Sequence, residues 1–383
     1  MRILLDATSA VDEKKTGVGW YTWHLIRWLP EVDPETTYLA WYLHFRGLFN
    51  RRRFFEPQPN LIERGTALPA RLYMKLSNRL EMPRVEWFTK FDSFLAPNYI
   101  PPATRTKGLV VTVHDLAFRI LPETAPHANK YWLMYLERTL KQAAEIITVS
   151  QSTKEDLVDL YGVDPERVTA VHSGIDLNVF KPVPDEVVGE TKRRLGIDGP
   201  YLLFVGGIEP RKNIRGLLRA FSRLDPGVMP KLVIAGATVP WIPGGTDIMD
   251  SAVRALPENV RDRIVQTGYV SEADKVALLS GAEALVYPSI YEGFGFPVLE
   301  AMACGTPVLT SNISSLPEVA GDAALLVDPH ETSQITDGMD RLLRDSDLKK
   351  RLSEAGRTRA GQYSWQETAR NTAKVLHRAA ERT

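Results

Sequence analysis

The 383-residue sequence contains one cysteine, Cys304, and no long uninterrupted apolar run. A single cysteine excludes an internal disulfide and any metal site made of cysteines alone. A membrane-spanning helix needs about 18 apolar residues, so none is predicted. The N-terminus lacks the consecutive basic, apolar and small-residue segments of an export signal, and we therefore expect a cytoplasmic protein.

The sequence also lacks net charge, because 47 basic residues balance 47 acidic ones. The overall field therefore gives no reason to expect nucleic acid as a partner. The seven histidines have no spacing typical of a zinc site, and we predict neither a metal ion nor a cofactor. The pair Asp345 and Asp347 resembles a two-carboxylate metal motif, but its charged helical surroundings favour helix capping.

Short apolar runs alternate with longer amphipathic segments almost from end to end. This alternation predicts an α/β fold of parallel sheets covered by helices, and the length fits two domains. Residues 180–199 are rich in proline, glycine and charge, which indicates a boundary there. We predict two doubly wound domains, 1–182 and 183–364. The predicted strands cover 2–6, 38–43, 93–96, 109–114, 145–149, 168–172, 201–205, 231–235, 264–266, 284–287, 307–311 and 324–327.

The segment from Tyr287 to Val308 predicts a strand, a glycine turn, a short helix and a second strand. Gly293 and Gly295 permit close backbone approach, and Pro297 suits the first turn of a helix. The helix N-terminus would attract a phosphate, and two carboxylates, Glu292 and Glu300, could hold sugar hydroxyls on either side of it. The alternative is a solvated turn followed by a capped core helix.

A second candidate lies after the first strand of the second predicted domain, in Val205–Asn213. Gly206 and Gly207 would let a ligand approach the main chain, and Arg211 with Lys212 would neutralise a diphosphate without a metal ion. The alternative is a solvated basic pair on the surface.

Two features of the first predicted domain could also contact a ligand. Gly17 and Gly19 follow the first strand, but the loop lacks the third glycine of a dinucleotide-binding fingerprint, which argues against hydride transfer. His114 ends an apolar strand, where it could hydrogen-bond a sugar hydroxyl or could be an ordinary internally bonded histidine.

Taken together, these motifs resemble those of the retaining glycosyltransferases of family 4, over nearly the whole chain. The most specific element is Tyr-Glu-Gly-Phe-Gly-Phe-Pro-Val-Leu-Glu-Ala, which contains Phe294 and Phe296 between the two glutamates. The resemblance implies the GT-B fold: two Rossmann-like domains facing across a cleft, with a C-terminal helix, 365–383, returning to the first domain. One departure is Thr16, where many members carry glycine.

The resemblance also implies roles for the candidate residues. Arg211 and Lys212 would hold the donor diphosphate, Glu300 the nucleotide ribose, Glu292 the transferred sugar and His114 a sugar hydroxyl. The backbone around Gly268 and Tyr269 would face the base. The full set expected at the donor or the reacting carbon is Gly17, Gly19, His114, Gly207, Arg211, Lys212, Tyr269, Glu292, Gly293, Phe294, Gly295, Phe296 and Glu300.

The donor sugar and the reaction leave alternatives open. The motifs look most like mannosyl- and rhamnosyl-type transferases of bacterial surface polysaccharides such as O-antigen, with GDP-mannose as the preferred donor. UDP and dTDP sugars, including rhamnose, glucose and GlcNAc, are alternatives. So are a sugar-nucleotide epimerase and a non-catalytic nucleotide-sugar-binding subunit.

The acceptor is expected to bind the first domain. The segment from Arg46 to Lys90 contains ten basic residues and only four glutamates, and aromatic residues are interleaved among them. This combination suits a glycan, a polyprenyl-diphosphate-linked saccharide or the anionic inner face of the cell membrane. Core aromatics with solvated arginines would give the same pattern.

Overall fold

The structure is a computed structural model that describes residues 1–12, 15–43, 53–122, 129–225, 230–237 and 245–382. Internal contacts divide the chain into two compact units. Unit 1 comprises Met1–Leu116, His127–Gly174 and Ser364–Thr383, and unit 2 comprises Ala117–Pro126 and Ile175–Tyr363. The chain therefore changes unit before the expected boundary at 182/183.

The first half of the chain contains seven strands and five helices among the described residues. The strands are β1 Arg2–Asp6, β2 Thr37–Leu43, β3 Leu61–Thr66, β4 Ser93–Ala96, β5 Leu109–Val113, β6 Glu145–Thr148 and β7 Val168–Ala170. The helices are α1 Gly17–Val32, α2 Ala70–Leu80, α3 Ala117–Ile120, α4 Asn129–Gln142 and α5 Gln151–Tyr161.

The second half adds six strands and ten helices among the described residues. The strands are β8 Tyr201–Val205, β9 Lys231–Ala235, β10 Ile264–Gly268, β11 Ala284–Tyr287, β12 Val308–Ser311 and β13 Leu325–Val327. The helices are α6 Asp185–Leu195, α7 Ile214–Phe221, α8 Gly245–Arg254, α9 Glu258–Arg261, α10 Glu272–Gly281, α11 Phe296–Ala303, α12 Leu316–Ala320, α13 Thr332–Arg344, α14 Ser346–Ala360 and α15 Trp365–Glu381.

Each unit is built around one parallel sheet. The order is β3-β2-β1-β4-β5-β6-β7 in unit 1 and β10-β9-β8-β11-β12-β13 in unit 2. Central strands such as β5 and β8 are buried along their whole length, because helices cover both faces of a parallel sheet. The strand order reverses between β1 and β4, and again between β8 and β11. These two places are the topological switch points, where α/β sheets bind ligands beyond the strand ends.

All twelve predicted strands are confirmed to within a few residues, and the predicted doubly wound architecture is present in both units. Two elements were not predicted. Within residues 180–199, helix α6 occupies Asp185–Leu195, with acidic residues in its first turn and basic residues in its last. The edge strand β3 was not predicted.

The C-terminal helix α15 packs within unit 1. Its Thr368 hydroxyl donates to the carbonyl of His172 at 2.8 Å. Near its end, Arg378 and Arg382 lie 3.2 and 2.8 Å from the buried carboxylate of Glu145 on β6. A buried carboxylate without cations would be costly, so this pair fixes the end of α15 on the sheet.

Candidate functional site

The candidate site of unit 2 lies at its switch point, where β8 and β11 are neighbours. The loop after β8 holds Arg211 and Lys212 in a 3₁₀ turn, Pro210–Lys212. The loop after β11 holds Glu292. Because parallel strands end at the same edge of a sheet, two loops distant in sequence meet here.

Glu292 binds both cations. Its Oε1 lies 2.5 Å from Nζ of Lys212, and its Oε2 lies 2.7 Å from Nη1 of Arg211. Glu209 pairs with Nη2 of Arg211 at 2.8 Å. Tyr287 accepts from Lys212 and donates to Oε1 of Glu292 at 2.8 Å. We call these five residues, Glu209, Arg211, Lys212, Tyr287 and Glu292, the cation cluster.

Burial makes this pairing strong. Glu292 is 6% exposed and Lys212 is 7% exposed, whereas 16% of the Arg211 side chain is open to solvent. Burial alone would raise the pKa of Glu292, but Arg211 and Lys212 outweigh it and hold the pKa at about 2. Burial lowers the pKa of Lys212, and Glu292 opposes that shift. Glu292 is therefore ionised at neutral pH, and its charge stabilises the two cations in a nearly dry site.

The cluster retains capacity for an anion. Lys212 Nζ carries three protons, and the described residues accept two of them. Of the two cations, Arg211 has the more exposed side chain, 16% against 9% for Lys212. With Glu209 and Glu292 balancing the two cations, the cluster is neutral before a ligand binds.

Serines hold the loop that carries Glu292. Ser314 Oγ accepts from the N–H of Glu292 at 3.1 Å and lies 2.6 Å from its carbonyl oxygen. Ser315 Oγ lies 2.8 Å from the same oxygen and 2.7 Å from the carbonyl of Phe294. Ser289 Oγ lies 2.7 Å from Oε1 of Glu292. The backbone around Gly293 is thus fixed by residues that follow β12.

The predicted glycine turn and helix are confirmed. Gly295 has φ 119° and precedes α11, which starts at Phe296 with Pro297 in its first turn. A Cβ at Gly295 would also approach Leu316 to 2.9 Å, so a larger residue would fit neither the backbone nor the space. Phe294 is buried, with its ring centre 5.1 Å from that of Phe296.

Glu300 has a partner of its own. It lies on α11, is 9% exposed, and accepts from Nζ of Lys275 on α10 at 2.7 Å. Lys275 also lies over the ring of Phe180, 4.7 Å from its centre. The two glutamates of the motif therefore have different partners. Glu292 pairs with Arg211 and Lys212 in the cation cluster, and Glu300 pairs with Lys275 on α10.

The other two donor candidates of unit 2 lie in loops after strands. Gly207 lies two residues after the end of β8 at Val205, and the residue between them, Gly206, has φ 147°. Tyr269 follows Gly268 at the end of β10 and is 86% exposed. Since β9 separates β10 from β8, Tyr269 is at the same sheet edge as Arg211 but two strands away.

His114 belongs to unit 1, directly after β5. Its Nε2 lies 2.8 Å from the carbonyl oxygen of Pro97, which only accepts, so Nε2 carries the proton. Burial lowers the pKa of its imidazole, and its ring packs edge-on to Tyr21 at 4.9 Å. In this neutral tautomer Nδ1 is the nitrogen that can accept a hydrogen bond from a hydroxyl.

The glycine loop of unit 1 forms a capped helix start. Thr16, the departure from the family pattern, is the N-cap of α1 and accepts from the N–H of Gly19 at 3.3 Å. A Cβ on Gly19 would lie 2.6 Å from the carbonyl oxygen of Ser9, so packing alone requires glycine there. A Cβ on Gly17 meets nothing within 4 Å. Their contribution to donor binding stays a prediction.

Several members of the site were missed in the sequence. Glu209 and Lys275 complete ion pairs and Tyr287 hydrogen-bonds Lys212 and Glu292, yet no motif singles these residues out. Glu209 offered a faint signal, because a carboxylate two residues before Arg211 can pair with it. Lys275 offered none, since only folding brings α10 against α11.

Neither a metal-binding group nor a membrane-spanning helix is found among the described residues. The described part of the chain contains no group of three histidine, cysteine, aspartate or glutamate side chains placed to hold a metal ion. Asp345 instead caps α14, accepting from the N–H of Leu348 at 2.8 Å, as predicted. No helix in the ranges that the structure describes is long and apolar enough to cross a membrane.

Comparison with known families and proteins gives consistent matches. Glycosyltransferase Family 4 matches residues 15–179, and Glycosyl transferases group 1 matches residues 189–359. O-antigen chain mannosyltransferase B of Escherichia coli is 29% identical over 392 residues, covering 97% of this chain and 98% of the relative. MMP alpha-(1->4)-mannosyltransferase of Mycolicibacterium hassiacum is 31% identical over 258 residues, 66% of this chain but only 59% of the relative.

Among solved structures, Anabaena Alr3699/HepE in complex with UDP and glucose superposes with a TM-score of 0.74 at 16% identity, over 99% of this chain and 100% of that one. The two parallel sheets and this likeness define the GT-B fold. Both matching family models describe glycosyltransferases, so the chain is a glycosyltransferase with the two-domain GT-B fold. Its matches support a glycosyltransferase of family 4: residues 15–179 match the model of that family, and residues 189–359 match the model of glycosyl transferases group 1.

Proposed function

We propose that the protein is a metal-independent, retaining mannosyltransferase that takes mannose from GDP-mannose. The acceptor is a glycan or a polyprenyl-diphosphate-linked saccharide of a surface polysaccharide such as O-antigen. The cation cluster is the observation that carries the proposal. It holds two fixed cations at a switch point, and the leaving nucleoside diphosphate develops negative charge as the sugar departs.

We assign each residue the role that the family resemblance implies, and its contacts support that role. Arg211 and Lys212 bind the diphosphate, with Arg211 offering its planar donors and Lys212 its remaining proton. Glu292 keeps both cations in place, and its loop contacts the transferred sugar. Glu300, set against Lys275, binds the ribose. His114 accepts a hydrogen bond from a sugar hydroxyl at Nδ1.

Retention follows from attack on the same face as the departing group. The acceptor hydroxyl attacks the anomeric carbon, the bond to the diphosphate oxygen breaks, and that oxygen takes the hydroxyl proton. No side chain has to act as the base, so the residues named above need only bind, orient and stabilise charge.

Mannose is favoured by the similarity to two mannosyltransferases, O-antigen chain mannosyltransferase B and MMP alpha-(1->4)-mannosyltransferase. A screen of GDP, UDP and dTDP sugars by thermal shift is the first test, since a tight ligand raises the unfolding temperature. Incubation of radiolabelled GDP-mannose with a lipid-linked acceptor is the second. Transfer with release of GDP in excess chelator supports the proposal. Isomerised donor, binding without turnover, or activity that needs added Mn²⁺ or Mg²⁺ contradicts it.

A further inference from the structure

Helix α2 of unit 1 turns a row of leucines toward solvent. Leu72, Leu76 and Leu80 are 53%, 39% and 55% exposed, while Tyr73 and Ser77 are buried beneath them. Residues four apart lie on one side of a helix, so the three leucines form a continuous stripe. We call it the leucine stripe. An exposed apolar row of this kind is unusual on a helix that already buries another face.

Apolar exposure is concentrated around this stripe. Of the fifteen large apolar side chains exposed among the described residues, six lie between Leu72 and Phe88. Met82 and Trp87 are 46% and 61% exposed, and Met134 on α4 is 58% exposed. Single exposed leucines are ordinary, but a cluster marks a binding surface.

Positive charge flanks the stripe. Lys75 and Arg79 are exposed on its solvent side, and α2 contains no acidic residue. Helical spacing places these two cations next to Leu72 and Leu76, with the buried residues on the opposite side of the leucines. Apolar side chains bordered by cations are the pattern of helices that lie in a membrane interface.

A basic hollow adjoins the end of α2. It has a volume of about 790 Å³ and is lined in part by Glu81, the residue after α2, and by Met134. Its exposed cations are Arg105, Lys107, Arg138 and Lys141, against the carboxylates of Glu81 and Glu137. Arg138 is 2.9 Å from Glu81, which ties the hollow to the helix end. The remaining charge is positive.

We propose that the leucine stripe and the basic hollow dock the protein on a bilayer that contains anionic phospholipid. The stripe enters the acyl boundary, and the flanking cations and the hollow bind lipid phosphates. Charge complementarity selects this occupant, because an apolar protein partner would not require six exposed cations beside the stripe. The proposed surface is smaller than the expected basic region 46–90, of which 46–52 lie outside the described residues, and it adds cations between residues 105 and 141.

The test is sedimentation of the full chain with vesicles, which requires neither donor nor acceptor and is therefore independent of the proposed reaction. We expect binding to phosphatidylglycerol vesicles to be at least about tenfold tighter than to phosphatidylcholine vesicles. Leu72→Ser/Leu76→Ser and Arg105→Gln/Lys141→Gln should each weaken it by about tenfold. The matched controls, Leu160→Ser/Leu177→Ser and Lys350→Gln/Arg351→Gln, change exposed residues elsewhere and should bind like wild type.

Thermal unfolding verifies that each variant is folded. Equal binding by the leucine variant and wild type, or no preference for phosphatidylglycerol, would overturn the proposal. Sedimentation velocity supplies a further outcome: a dimer that the leucine variant abolishes would make the stripe a face between two copies, which also overturns it.

Discussion

The cation cluster of unit 2 and the basic hollow of unit 1 both concentrate positive charge, but they do so in opposite ways. In the cluster one buried and one partly buried cation are balanced by Glu209 and Glu292 at hydrogen-bond distance. In the hollow four exposed cations outnumber two carboxylates. A buried, balanced set has fixed geometry and suits one small anion, whereas an exposed, unbalanced set suits an extended anionic surface.

The largest effect that we expect at the cation cluster comes from neutralising Glu292. Glu292→Gln leaves Arg211 and Lys212 buried without their shared partner, and we expect a loss of about 3–5 kcal/mol in the free energy of unfolding. Denaturant unfolding measures it, with Glu354→Gln as an exposed control expected within about 0.5 kcal/mol of wild type. A loss as small as the control's would mean that the cluster is not held by charge.

The same variant has a pH signature. The folded pKa of Glu292, about 2, lies below its ordinary value of 4.5, so its stabilisation is complete above the ordinary value and disappears as pH falls toward the folded value. Wild type should therefore lose stability between those values more steeply than Glu292→Gln. Parallel pH profiles would contradict the assignment.

The next largest effect concerns the cations themselves. Arg211→Ala and Lys212→Ala should each lower kcat/KM. The expected loss corresponds to about 2–4 kcal/mol of transition-state stabilisation, the scale for one lost charge partner. Lys350→Ala removes an exposed cation from α14 and serves as the control. Reductions below about threefold would remove both residues from the donor site.

A smaller effect is expected at Glu300. Glu300→Gln keeps the shape but loses the charge that pairs with Lys275, so nucleotide affinity should fall by about tenfold, the scale of one charged hydrogen bond. Calorimetry with the nucleotide measures it, and Glu272→Gln at the exposed start of α10 is the control. Unchanged affinity would refute the ribose assignment.

The smallest expected effect separates the two regions directly. Raising NaCl from about 0.05 to 0.5 M should weaken vesicle binding by about tenfold but nucleoside diphosphate binding by about threefold at most, because buried charges are screened less. Equal salt dependence of the two affinities would show that the cation cluster and the basic hollow do not differ in how strongly salt screens their charges.

The sequence predicted the sheets because their strands are buried runs of apolar residues, a pattern that survives without tertiary information. It missed β3, a polar edge strand, and α6, which buries only Thr191. Arg211, Lys212 and Glu292 were identifiable from their places after strands. Their pairing was not, because Tyr287 and Glu209 acquire their roles only when two distant loops meet.

The central claim is that Arg211 and Lys212 bind the diphosphate of the donor. Calorimetry of GDP, UDP and dTDP, each beside its nucleoside, measures what the diphosphate contributes to affinity in wild type and in Lys212→Ala. In wild type we predict that the preferred nucleoside diphosphate binds about 100-fold more tightly than its nucleoside. In Lys212→Ala this ratio should fall to about tenfold, because one charged contact is lost. An equal ratio in both proteins would show that Lys212 does not bind the diphosphate.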